Sequence, residues 1–154
     1  MMMRMSALHW ICALCLTLLC SLSAQPVKRE VTSEIEDNLQ HLKKVITNYE
    51  CISDLTLYTP TDIAPGCLHM AGNCTLQELK VLKNDCFDLK EDDDDDKESL
   101  NNVIDLLEAE VNQIKPCPNR KCECRTCEEY EATDVMTFLK NVKNLDERME
   151  AERK

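Results

Sequence analysis

Four stretches of this chain repeat apolar residues at every third or fourth position, and that periodicity restricts the possible folds more than any other feature. The first runs from Glu34 to about Ile52, with Ile35, Leu39, Leu42, Val45, Ile46, Tyr49 and Ile52 along one side. The second, from about Asn73 to Leu89, carries Leu76, Leu79, Val81, Leu82 and Phe87. The third, Ser99 to Ile114, carries Leu100, Val103, Ile104, Leu107, Val111 and Ile114, and Pro116 and Pro118 stop it. The fourth, about Thr133 to Glu152, carries Val135, Phe138, Leu139, Val142, Leu145 and Met149. Thr32 and Ser33 are N-cap candidates for the first helix and Thr133 for the last. The run Glu91-Asp92-Asp93-Asp94-Asp95-Asp96 should interrupt helix and core, because neighbouring like charges repel. Apart from a short extended piece near Leu55–Tyr58, no strand run stands out.

Helices with single apolar stripes must bury them against one another, so the expectation is an all-α four-helix bundle. The connections are about 20, nine and 18 residues long. Two long links around a short one fit an up-up-down-down bundle with two long crossover loops. Composition closes off other classes. The two glycines, Gly66 and Gly72, can build neither a phosphate-cradling loop nor the many tight turns of an all-β fold. A net charge of −11 disfavours nucleic acid and anionic lipid and favours a basic protein partner.

Residues 1–24 read as a cleaved signal peptide. Arg4 forms the positive end, Leu8 to Leu19 the apolar stretch, and Ser21, Ser23 and Ala24 the small residues before Gln25-Pro26. The apolar stretch is short for a membrane span, and no other segment is a candidate. The expectation is a secreted, extracellular, monomeric protein without membrane insertion, its single domain being residues 25–154. Cleavage removes Cys12, Cys15 and Cys20 and leaves Cys51, Cys67, Cys74, Cys86, Cys117, Cys122, Cys124 and Cys127. An even set in an oxidising compartment predicts disulfides, although eight cysteines allow 105 connectivities.

Three blocks carry a family resemblance. Leu57-Tyr58-Thr59 with Asp62, Pro65 and Cys67 follows the first helix. Cys74-x-Leu76-x-Glu78-Leu79-x-Val81-Leu82 lies in the second. Cys124-x-x-Cys127-Glu128-Glu129-Tyr130-Glu131, then Phe138-Leu139, leads into the last. Together they resemble the interleukin-15 family, with its fish interleukin-15-like branch, within the short-chain four-helix cytokines. The resemblance implies disulfides Cys67–Cys124 and Cys74–Cys127. A Cys51–Cys86 bridge is then feasible, because both residues end helices at one pole, and Cys117 with Cys122 could pair locally.

The resemblance also implies receptors. Tyr58, Glu78, Asp85, Glu128 and Glu129 match positions that bind the basic sushi domain of the interleukin-15 receptor alpha chain. Helices 1 and 3 would face an interleukin-2 receptor beta-type chain, and helix 4 the common cytokine receptor gamma chain. Asn102 matches a helix 3 contact. His41 replaces a helix 1 aspartate, for which Asp37 could substitute, while Lys140 and Glu147 replace helix 4 glutamines. The implied outcome is lymphocyte growth, survival or activation in an immune response.

Other motifs have plainer readings. Asn73-Cys74-Thr75 is a glycosylation sequon whose central cysteine competes with the glycan. Asp92-Asp93-Asp94-Asp95-Asp96-Lys97 has the form that enteropeptidase cleaves, but reads first as a solvated connector. The cysteines at 117, 122, 124 and 127 have spacings compatible with zinc or redox chemistry, but an oxidising compartment with upstream partners favours disulfides. No cofactor, metal site or catalytic constellation is expected, and the protein is not read as an enzyme. The alternative is a secreted disulfide-stapled helical binding protein or inhibitor that does not signal. A helical phospholipase is disfavoured by the missing calcium loop and His-Asp pattern.

Overall fold

A computed structural model describes residues 26–89, 94–117 and 121–153. The expected signal peptide, residues 1–24, lies outside them. The chain divides into Met1–Ser33, of which residues 26–33 are helical, and the compact unit Glu34–Lys154. The described residues contain four α-helices: α1 Pro26–Val45, α2 Leu68–Asp85, α3 Asp94–Gln113 and α4 Val135–Glu152. Between α1 and α2 lies strand β1, Thr56–Tyr58, and before α4 lies β2, Ala132–Asp134. The fold is a disulfide-stapled four-helix bundle, with long connections on either side of a short one, as the resemblance implies.

The apolar stripes form the core as the periodicity requires. Ile35, Leu39, Leu42 and Ile46 are buried from the first, and Leu100, Val103, Leu107 and Val111 from the third. Phe138, Leu139, Val142 and Met149 are buried from the last. Each such side chain contributes roughly 1.5–3 kcal/mol by leaving water. Helix α2 adds Leu79 and Leu82, while Val81 is half-buried. It packs tightly on α3 at Gly72, where a Cβ would lie 2.6 Å from Val111 Cγ2.

The helix boundaries depart from expectation in instructive ways. Helix α1 begins at Pro26, so Thr32 and Ser33 lie inside it and do not cap it. Proline suits a first helical position because its φ is preset and its missing N–H is not needed there. The α-helix ends at Val45 and continues as 3₁₀ turns, Ile46–Asn48 and Glu50–Ser53. The apolar spacing from Ile46 to Tyr49 to Ile52 is three, the period of a 3₁₀ helix. Helix α2 starts at Leu68, earlier than Asn73, and ends at Asp85, with a 3₁₀ turn at Phe87–Leu89.

The acidic run does not simply interrupt the helix. Asp94, Asp95 and Asp96 form the first turn of α3. Their negative charge meets the unpaired amides and positive end of the helix dipole, which outweighs the repulsion between them. Asp94–Lys97 is therefore helical, not an open connector, and Asp92 and Asp93 lie outside the described residues.

Strand β2 was not apparent from the sequence. It pairs antiparallel with β1, Leu57 opposite Thr133 and Tyr58 opposite Ala132. Thr133 is thus a strand residue, its hydroxyl 2.6 Å from that of Thr59. Asp134 caps α4 instead, accepting from the Thr137 amide at 2.8 Å. Among the described residues four disulfides join Cys51–Cys86, Cys67–Cys124, Cys74–Cys127 and Cys117–Cys122. Two of them tie the loop before α4 to the start of α2 and the residue preceding it. Gly66 has φ +83°, and a Cβ on it would lie 2.7 Å from Cys122 Sγ. A side chain there would therefore be both strained and obstructed.

Candidate functional site

The acidic junction is built where the β-ribbon crosses α2. In β1, Leu57 is buried and Tyr58 is half-buried, as alternation along a strand requires. The Tyr58 amide donates to Glu78 Oε2 at 2.9 Å, so a carboxylate of α2 receives the backbone of β1. Glu78 lies four residues after Cys74, on the same helix face. Cys74 is bonded to Cys127, which begins the 3₁₀ turn Cys127–Glu129. The covalent link therefore brings Glu128 close enough to act on Glu78 electrostatically. Burial raises the Glu78 carboxyl above its ordinary value, the Tyr58 amide lowers it, and the charge on Glu128 raises it again. The net shift is upward.

The predicted acidic residues do not all act together. Glu128 is exposed. Glu129 is also exposed, but its Oε1 accepts from Thr126 N at 3.3 Å and Thr126 Oγ1 at 3.1 Å, closing a capping box. Glu129 thus shapes the turn that presents Glu128. Asp85 is exposed at the end of α2, about 10 Å along the axis from Glu78, beside the Cys51–Cys86 pole. The junction unites Tyr58, Glu78 and Glu128, with Glu129 supporting them and Asp85 apart.

The other predicted contacts lie along the helices. Asp37 is exposed on α1, Asn102 is half-buried on α3, and Lys140 and Glu147 are exposed on α4. His41 is half-buried, its Nε2 2.9 Å from Asp96 Oδ1. Tyr49 donates its hydroxyl to Asp96 Oδ2 at 2.8 Å. Between Lys140 and Glu147, Lys143 pairs with Glu36 of α1 at 2.8 Å. Sequence reading did not find the Asp96 network, since nothing in local spacing places residue 96 beside residues 41 and 49. Asn73 is exposed on α2, whereas the other sequon residues are buried: Cys74 in its disulfide and Thr75 donating to Ala71 O at 3.0 Å. Cys124 and Cys127 are each bonded to an upstream cysteine, not to one another. Among the described residues no cluster of three or more His, Cys, Asp or Glu could hold a metal ion. Among the same residues no helix is long and apolar enough to cross a membrane.

The family model for interleukin 15 matches residues 15–149, which includes almost the whole of α1 to α4 and the four disulfides described above. The chain belongs to the interleukin-15 family. Interleukin-15 of Marmota monax is 30% identical over 112 residues, 73% of this chain and 64% of that protein. Interleukin-15 of Marmota himalayana is 29% identical over the same length and shares. Interleukin-15 of Mus musculus is 27% identical over 108 residues, 70% of this chain and 61% of that one. The chain thus spans less than two thirds of the length of these relatives. The interleukin-15 family is a family of cytokines, a non-enzyme kind of protein.

Proposed function

We propose that this cytokine is secreted after loss of residues 1–24 and acts as a monomer that assembles receptor chains. Its acidic junction binds the basic sushi domain of an interleukin-15 receptor alpha chain. Its helices α1 and α3 engage an interleukin-2 receptor beta-type chain, and α4 engages the common gamma chain. The receptor kinases then activate one another and support lymphocyte growth, survival or activation. The observation that carries this reading is the placement of Glu128 beside a half-buried Glu78 whose carboxylate already orders Tyr58. Two acids held together by a disulfide and a backbone hydrogen bond are pre-organised for a cationic surface, which lowers the ordering cost of binding and raises the association rate.

The test is binding of the soluble alpha, beta and gamma ectodomains, followed by receptor phosphorylation on lymphocytes. Glu78→Lys and Glu128→Lys should each weaken sushi binding by about tenfold or more, with the largest loss at low salt. Wild-type affinity for the sushi domain in both variants would reject the junction. Absence of receptor phosphorylation, with and without the alpha ectodomain, would reject the signalling role and favour a non-signalling binding protein. Mass spectrometry of the secreted chain should find Gln25 at its N-terminus.

A further inference from the structure

A second acidic cluster lies inside the bundle, away from the junction. Glu110 of α3 and Asp146 of α4 are 1% and 2% exposed, which is unusual for carboxyl groups. Arg153 Nη2 donates to Glu110 Oε1 at 2.9 Å, and Nη1 to Gln113 Oε1 at 2.7 Å. Glu110 Oε2 and Asp146 Oδ1 are buried without a conventional hydrogen-bond donor. Two ionised carboxylates cannot satisfy one another, because both are acceptors, and one guanidinium neutralises one charge. A proton on Asp146 turns it into a donor toward Glu110 and removes the excess charge.

We propose that Asp146 keeps its proton at neutral pH and donates it to Glu110, so that this joint between α3 and α4 contributes more to folding stability as pH falls. The charged groups acting on Asp146 are Glu110 from α3, and Glu150 and Arg153 from the end of α4. Burial, the hydrogen bond with Glu110 and the charges of Glu110 and Glu150 push the Asp146 carboxyl up to about 9, against the lowering influence of Arg153. In the unfolded chain the same carboxyl loses its proton near its ordinary value of 3.8. Between these limits the folded state holds more protons, so the stability from this pair is complete below the lower limit and is lost as pH rises through the upper. The joint thus favours the folded bundle where pH falls, opposite in sign to a salt-bridged carboxylate. It is independent of the receptor reading.

The test uses the full disulfide-bonded chain. In a carbon-13 titration, the Asp146 carboxyl should change ionisation several pH units above its ordinary value of 3.8. Between about pH 5 and about pH 8, wild-type Tm should fall more steeply with pH than that of Asp146→Asn, which keeps a donor at every pH. An Asp146 transition near pH 4, or equal slopes in the two proteins, would overturn the proposal. If the variant does not fold, the wild-type titration alone decides.

Discussion

The His41 imidazole on α1 lies 2.9 Å from the carboxylate of Asp96 in the first turn of α3, across 55 positions of sequence. Tyr49 donates to the other oxygen of that carboxylate, and its ring lies 4.6 Å from that of Phe87. One aspartate thus serves as a helix-terminal charge, a histidine partner and an acceptor for a buried phenol. Asp96→Ala leaves the Tyr49 hydroxyl without this acceptor and removes charge from the α3 N-terminus, so it should destabilise the bundle by about 1–3 kcal/mol. Tyr49→Phe keeps the ring contact and should cost about 1 kcal/mol. His41→Asp, which restores the residue expected by family resemblance, should destabilise because it faces Asp96 with a like charge. Urea unfolding of the three variants tests the ranking.

The junction makes a separate, pH-dependent prediction. Glu78 is raised mainly by burial, and further by Glu128. Acidification should therefore neutralise Glu78 at a higher pH than an ordinary glutamate, and affinity for a basic partner should fall early as pH drops. Glu128→Gln removes one raising influence and should move the Glu78 part of the profile to lower pH. Binding to a sushi domain measured across mildly acidic pH checks this. Profiles of the same midpoint in wild type and Glu128→Gln would contradict it.

Gly72 makes a steric prediction. In an exposed helix, alanine would gain roughly 0.5–1 kcal/mol over glycine. Here the added methyl meets Val111 Cγ2 at 2.6 Å, and overpacking costs typically about 1–3 kcal/mol. Gly72→Ala should therefore be net destabilising, and Val111→Ala should be less harmful in that background than alone. A double-mutant cycle by urea unfolding measures the coupling, which vanishes if α2 and α3 do not meet there.

The disulfides should rank by the chain they enclose. Cys67 and Cys124 are 57 positions apart, and Cys117 and Cys122 are five apart. The loop-entropy relation gives about 4 kcal/mol for the first and about 2 kcal/mol for the second. Paired alanine replacements should show that order in denaturation midpoints. Equal losses would mean that native-state contacts, not loop closure, dominate.

The four helices were legible because an apolar residue at every third or fourth position can be buried in no other regular conformation. Family resemblance supplied the two long-range disulfides, and helix-end proximity made Cys51–Cys86 feasible. Boundaries were less legible. Local capping rules favoured Thr32 and Ser33, but Pro26 starts α1. Charge repulsion predicted a break at Asp94–Asp96, where the α3 terminus and the partners of Asp96 overrule it.

The amino-acid sequence by itself determined the four helices of the described residues, the buried side of each, the cysteine supply and the acidic character. These properties depend on neighbours within one or two turns, or on composition. Tertiary structure alone decided that Thr133 pairs with Leu57, that Glu78 receives the Tyr58 amide, and that Glu110 meets Asp146. Such partners are far apart along the chain, and their distances depend on the packing of whole helices. No local pattern encodes which carboxylate will be left without water and must find a proton, an amide or a cation instead.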